Sequence, residues 1–200
     1  MSAPLLLRLI IWPWIAAAFY AGHSLLWQRL PPIAVPATVL LLTTLVLMAY
    51  LRLHTLRTWI DSLDLSRLVL LHVTRFVGLV FLILHHRGEL PYAFAIPAGI
   101  GDIVVATAAL SLALAPLHES TRRRALSIWN AVGLFDLLFV ITNAARLTHA
   151  SPEALRPLTE LPLSLLPTFL VPWLLATHVI IFIRLAREAQ AIEASPPSAI

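Results

Sequence analysis

Six long apolar runs constrain this 200-residue chain more than any other feature of its sequence. Each run holds 17 to 23 residues, which brackets the ~20 residues that an α-helix needs to cross about 30 Å of hydrocarbon. Segments of this length must be helical inside a bilayer, because the backbone finds no water there to bond with. The sequence therefore predicts an all-α, polytopic transmembrane bundle with six spans, at residues 9–27, 33–51, 68–84, 92–114, 126–145 and 162–183.

Composition supports a membrane protein without a soluble domain. Hydrophobic residues make up 60% of the chain and charged residues only 12%, about half of the usual share in soluble proteins. The longest connections between runs are 16 residues, so residues 1–187 are predicted to form one transmembrane domain. The tail at 188–200 is predicted to be a disordered cytoplasmic segment. The absence of Cys excludes disulfides, thiolate metal sites and cysteine nucleophiles.

The distribution of arginine predicts the orientation of the bundle. Nine arginines share a side with the N-terminus, four lie on the opposite side, and Arg75 lies inside a span. Because cytoplasmic loops are enriched in positive charge, both termini are predicted to be cytoplasmic. Arginine without lysine, together with abundant Ala, Leu and Pro, suggests a GC-rich bacterial genome, so we expect a bacterial inner-membrane protein. A cleaved signal peptide is the other interpretation of the first run, but its bulky Trp12-Pro13-Trp14 argues against cleavage.

Three ionisable residues are predicted to lie at mid-bilayer depth, namely Arg75, Asp102 and Asp136 in the third, fourth and fifth spans. The two carboxylates are too short to reach either interface, so they must face the interior of the bundle. One guanidinium opposite two carboxylates requires a residual negative charge, a proton or a bound cation. We predict a buried titratable centre, extended by Asn130 and Asn143. The alternative is an ion pair that only specifies helix packing.

The residues that precede Asp102 predict a broken helix. Pro97 removes one helical hydrogen bond, and Gly99 and Gly101 weaken the turns that follow. A broken helix next to a carboxylate is one way in which transporters expose backbone carbonyls to a cation. The alternative interpretation is a seam of small residues against a neighbouring helix.

Histidines suggest two further sites. His72 and His178 are predicted to lie at one depth on different helices, as the axial ligands of a b-type haem would; the alternative is a hydrogen-bonded packing role. A second set lies near span ends on the predicted outer side, close in sequence to Glu89 and Glu153, which suggests a metal site. Its members are His23, His85, His86 and His149. No fixed metal-binding spacing supports this second site.

Three functions remain open at the level of sequence. The first is transport of a proton, cation or small solute, the second is redox chemistry with haem b, and the third is an accessory or assembly role in a membrane complex. No nucleotide-binding or hydrolase motif is present, so the sequence does not favour an enzyme. The predicted partners are the lipid bilayer and either further copies of the chain or a membrane complex. Nucleic acid is excluded because the basic residues lie in short loops.

Overall fold

The computed structural model describes residues 3–194, and within this range the chain is built from helices joined by short connections. The α-helices are α1 (Ala3–His23), α2 (Leu26–Arg29), α3 (Ala34–Arg52), α4 (His54–Ser62), α5 (Leu65–Leu71), α6 (Gly78–His86), α7 (Tyr92–Leu114), α8 (Glu119–Ala150) and α9 (Val171–Glu193). Two 3₁₀ segments, His72–Val77 and Pro152–Thr159, and one π-helical segment, Leu166–Leu170, complete the described fold. Pro152–Thr159 is called the cap segment below.

Five helical stretches of the described chain are long and apolar enough to cross a membrane. They are Ala34–Arg52, Leu65–His86, Tyr92–Leu114, Glu119–Ala150 and Leu166–Ala191. The prediction of an α-helical bundle with membrane-spanning helices is therefore confirmed at this level. The spans predicted at 33–51 and 92–114 agree with α3 and α7 to within one residue.

The third predicted span is a composite of α5, a 3₁₀ segment and α6. It begins three residues earlier than predicted because Asp64 caps α5, accepting a hydrogen bond from the Ser66 amide at 2.6 Å. This amide and the Ser66 hydroxyl hold the pKa of the Asp64 carboxyl below its ordinary value. The 3₁₀ segment has fewer residues per turn than an α-helix, so it rotates the side chains that follow relative to α5. Arg75 lies in this segment.

The fifth and sixth predicted spans differ in extent from the observed helices. Helix α8 runs from Glu119 to Ala150, well beyond the predicted 126–145. Residues 161–164 form turns, so the last span begins next to the π-helical segment rather than at 162. Helix α9 continues to Glu193, so the first part of the tail predicted to be disordered is helical. Residues 195–200 of that tail lie outside the described residues.

The helix break predicted at Pro97, Gly99 and Gly101 is wrong, because α7 is continuous from Tyr92 to Leu114. Pro97 has no N–H to donate to the carbonyl of Ala93. The side-chain amide of Asn143 on α8 donates to that carbonyl instead, at 2.7 Å. The same solution occurs in the last span, where Pro172 frees the Thr168 carbonyl and the Trp14 indole donates to it at 2.8 Å. Side chains from other helices thus supply donors to the carbonyls next to Pro97 and Pro172.

We expect Asn143→Ala to lower the free energy of unfolding by about 1–3 kcal/mol, since it leaves a buried carbonyl without a donor. Adding Pro97→Ala should restore most of this loss, because residue 97 then supplies the missing N–H. Thermal unfolding of both single variants and the double variant in one detergent measures the coupling. Additive effects of the two substitutions would contradict this explanation of the continuous helix.

Helix α7 lies at the centre of the bundle and packs against α5, the 3₁₀ segment His72–Val77, α6 and α8. Close approach of α6 and α7 depends on small residues: a Cβ at Gly78 would collide with the Gly99 carbonyl and the Asp102 Cβ. The small-residue seam considered as an alternative at these glycines is therefore present.

The short helix α4 marks one end of the bundle, which we call the α4 end. Tyr50 donates to the Asp61 carboxylate at 2.8 Å, and Arg187 of α9 pairs with the same carboxylate at 3.2 Å. Arg184 donates to the Leu63 carbonyl at 2.7 Å. The opposite end carries the cap segment and is called the cap end.

Candidate functional site

Arg75, Asp102 and Asp136 lie together in the middle of the bundle and form one ion triad. The Arg75 Nε donates to Asp102 Oδ1 at 2.7 Å, and the Nη2 donates to Asp136 Oδ2. The Nη1 donates to the Gly133 carbonyl at 3.1 Å. The side chain of Arg75 is only 1% exposed, that of Asp102 8% and that of Asp136 17%. The structure thus joins the three residues predicted to form a buried polar centre.

Two glycines leave room for this triad. A Cβ at Gly101 would occupy the position of the Asp136 carboxylate, so α7 presents a gap into which Asp136 of α8 fits. A Cβ at Gly133 would collide with the His178 imidazole. Gly133 therefore allows α9 to approach α8 while its carbonyl accepts the third hydrogen bond from Arg75.

His72 and His178 form a second buried group beside the triad, on its α4 side. Their ring centroids are 4.1 Å apart, and both residues have no exposed surface. Trp129 packs edge-on against His72 at 5.1 Å. His72 also lies one helical turn before Arg75, and the His178 ring lies against Gly133, so the imidazoles and the guanidinium share one buried region.

Hydrogen bonding assigns a neutral tautomer to each imidazole. The Thr177 hydroxyl uses its only hydrogen to donate to the Leu174 carbonyl at 2.9 Å, so His72 Nε2–H must donate to Thr177 at 3.1 Å. The Asn130 amide nitrogen donates to the His178 carbonyl at 2.9 Å, so its oxygen accepts from His178 Nδ1–H at 2.7 Å.

The remaining two ring nitrogens, His72 Nδ1 and His178 Nε2, are buried without a hydrogen-bond partner in the described chain. Each neutral ring has one N–H, and that N–H is used in the hydrogen bond to Thr177 or Asn130. The imidazole pair therefore contributes no positive charge, and the nearby triad, with one guanidinium and two ionised carboxylates, would carry a net charge of −1.

The prediction that His72 and His178 ligate haem does not fit this geometry. Axial ligands bind the iron from opposite faces of the macrocycle, so the two rings must stand apart with the haem between them. Here the ring centroids are 4.1 Å apart and the two rings are in direct contact, so no macrocycle fits between them. The hydrogen-bonded packing alternative describes these histidines.

A cavity of about 120 Å³ extends from the triad toward the cap end. Its walls are almost entirely apolar and come from α3, α6, α7, α8, the cap segment and the last span. Phe81 and Phe94 form a T-shaped pair in this wall, with centroids 5.4 Å apart. Arg75 and Asp102 are the charged side chains that line the cavity in the described part of the chain.

The half of the bundle toward the α4 end is packed instead of hollow. A cluster of buried side chains fills it, including Tyr50, Val69, Val105, Trp129 and Ile181. The imidazole pair lies between this cluster and the triad. Within residues 3–194 this cavity therefore reaches the triad from the cap end, and a molecule that enters it stops at Arg75 and Asp102.

The remaining predicted site residues lie elsewhere. Asn130 bonds to His178 instead of the triad, and Asn143 bonds to the Ala93 carbonyl while its oxygen accepts from Arg146 at 2.9 Å. No group of three or more metal-ligating His, Cys, Asp or Glu side chains occurs within residues 3–194. Among the histidines suggested for an outer metal site, His85 Nδ1–H instead donates to the Leu90 carbonyl at 3.0 Å, and His23 stacks on Phe19. The proposed metal ligands are thus not assembled into a site.

Several residues of the site carry little or no sequence signal of their function. Gly133 and Thr177 contribute a backbone carbonyl and a hydroxyl, and neither residue type is unusual in a membrane helix. A weak signal exists for Gly133, which precedes Asp136 by three residues and therefore lies on the same helix face. Gly101 does not break α7; the space left by its missing side chain accommodates Asp136.

The fold and site define a helical bundle with membrane-spanning helices, a buried ion triad and an apolar cavity that ends on it. The chain belongs to the family described as Domain of unknown function (DUF8737), whose model matches residues 31–186. Comparison with curated proteins and with solved structures gave no match.

Proposed function

We propose that the protein is a proton-linked carrier of a small solute in a bacterial inner membrane. One observation carries this proposal: a buried triad of one arginine and two aspartates closes the inner end of an apolar cavity. A net charge of −1 in a low-dielectric interior is unfavourable, and uptake of one proton by the carboxylate pair removes it. The carboxylates act as a coupled pair, so the proton belongs to both.

The proposed topology has six spans with both termini in the cytoplasm. Helix α1 contains 21 residues and would supply the additional span. The positive-inside bias then puts the α4 end on the cytoplasmic side and the cap end outside. In this orientation the cavity opens from the outer side, while the packed cluster around Trp129 closes the cytoplasmic side.

A carrier must expose its binding site alternately to the two sides, and the absence of Cys from the chain makes this testable. Ala144→Cys places a thiol on the cavity wall, and Ala109→Cys places one in the packed cluster. We expect that changing the pH shifts labelling by an impermeant maleimide in proteoliposomes, with one position becoming more reactive as the other becomes protected. Asp136→Asn, which cannot take up the proton, should abolish this shift.

Glu153→Gln is the matched control, since it neutralises a carboxylate that is 79% exposed in the cap segment. Its pH-dependent labelling should resemble that of the parent cysteine variants. Labelling that does not respond to pH at either position, or that responds equally in Asp136→Asn, would contradict a proton-linked carrier.

An accessory subunit is the second candidate, favoured by the position of Asp136 next to the surface of the bundle. Its side chain is 17% exposed, and Phe135 and Val132 on the same side of α8 are 72% and 52% exposed. A helix of another protein with a donor at this depth would complete the triad from outside. If the protein is an accessory subunit, purification from native membranes should recover a stoichiometric complex, and Asp136→Asn should disrupt it. A carrier should be purified without a stoichiometric partner.

A further inference from the structure

We propose that the solute is a small organic cation, with an ammonium or amidinium group on an apolar body, that displaces the proton of the triad. This inference rests on the proposed carrier function and names its substrate class. It follows from the charge of the triad, the side from which the cavity reaches it, and the chemistry of the cavity wall.

The sign of the charge favours a cation. Arg75 directs three hydrogen bonds to Asp102, Asp136 and the Gly133 carbonyl, so both carboxylates already compensate its positive charge. The imidazoles that face the triad, His72 and His178, are neutral in their hydrogen-bonded tautomers. An anion would raise the buried charge from −1 to −2, whereas a monovalent cation reduces it to zero.

The cavity places such a cation next to Asp102. This carboxylate lines the cavity and gives one oxygen to Arg75 Nε, so its other oxygen is the acceptor that an ammonium group can reach. Asp136 does not line the cavity. The exchange is balanced in charge and protons: one cation enters, one proton leaves the carboxylate pair, and the site remains neutral.

The walls select an organic cation over a metal ion. Hard metal ions require about six oxygen ligands, which an apolar wall does not offer. The cavity of about 120 Å³ is close in size to an engineered apolar cavity of ~150 Å³ that holds benzene. Phe81 and Phe94 are buried in this wall, where an aromatic face attracts a cation and the rings can pack against its apolar body. A single aromatic ring with one ammonium group matches both the volume and the charge.

Three probes with the same ring separate charge from shape: benzylammonium, benzyl alcohol and benzoate. Calorimetric titration of the purified full chain, repeated in two buffers with different ionisation enthalpies, measures the affinity and the number of protons released. We expect benzylammonium to bind with release of about one proton and to bind more weakly as the pH falls. The alcohol and the benzoate should bind about tenfold or more weaker, because they lack the charge-assisted hydrogen bond to Asp102.

Two variants and one control complete the test. Asp102→Asn should weaken benzylammonium binding about tenfold or more, and Ala144→Leu, which fills the cavity without altering charge, should do the same. If Asp102→Asn does not fold, Ala144→Leu still tests whether benzylammonium binds in the cavity. Asp64→Asn removes a carboxylate at the α4 end and keeps a good helix cap, so binding should be unchanged.

Equal binding of the three probes, or binding of benzylammonium without proton release, would overturn the proposed substrate class. If benzylammonium fails to bind while the pH-dependent cysteine labelling persists, only the substrate class is wrong. If the labelling shift is absent as well, the carrier function falls with it.

Discussion

Arg75→Gln should destabilise the protein by about 3–5 kcal/mol, because it leaves two buried carboxylates next to each other without a cation. Arg75 is 1% exposed and donates to both carboxylates and to the Gly133 carbonyl. Solvent therefore cannot replace its hydrogen bonds or its positive charge. Thermal unfolding in detergent, followed by circular dichroism and by loss of the monodisperse species, measures the effect.

Two comparisons separate electrostatics from simple loss of a large side chain. Arg122→Gln removes an arginine whose partner Asp64 is 59% exposed, and the expected change is below about 1 kcal/mol. A triple variant with Arg75→Gln, Asp102→Asn and Asp136→Asn removes every charge of the triad and should recover most of the stability. Wild-type stability of Arg75→Gln alone would show that the triad is not a charged unit.

Gly101→Ala should be the most damaging small substitution on α7. A Cβ at this position would meet the Asp136 carboxylate and must push it away from Arg75. We expect a loss of about 1–3 kcal/mol from overpacking, together with loss of pH-dependent labelling at the cavity. Helix propensity cannot explain a loss of stability, because alanine has a higher helix propensity than glycine.

A double-mutant cycle identifies the cause. In the background of Asp136→Ala the carboxylate is absent, so Gly101→Ala should have little effect or increase stability. The difference between the two backgrounds measures the contact. If Gly101→Ala is equally destabilising in both backgrounds, the methyl group collides with something other than Asp136.

The bounds of a helix can be predicted from the local sequence where hydrophobicity alone determines them. Helices α3 and α7 begin and end within one residue of the predicted bounds, because proline or arginine residues lie close to both ends of these two long, mainly apolar runs. The triad was also predictable, since short carboxylates at mid-bilayer depth can only face inward. Asp102 and Asp136 needed a cation, and Arg75 was available at their depth.

What could not be predicted depends on contacts between residues distant in sequence. Pro97 leaves α7 intact because Asn143 lies 46 residues later and reaches the freed carbonyl. His72 and His178 lie on different helices, and their direct ring contact, which leaves no space for a haem between them, is not visible in the sequence. The tautomers that Thr177 and Asn130 assign to the two rings also depend on residues distant in sequence from their partners. The 3₁₀ segment that carries Arg75 also has no clear signal in the sequence.

The charge of the triad is the claim on which the carrier and its substrate class both rest. Infrared spectroscopy of the protein in lipid membranes at neutral pH, with Asp102→Asn and Asp136→Asn compared with wild type, measures it directly. We predict one protonated carboxyl band per molecule, which disappears when either aspartate is replaced and when benzylammonium is added. A spectrum with both carboxyl groups ionised in the absence of any added cation would contradict the proposed mechanism.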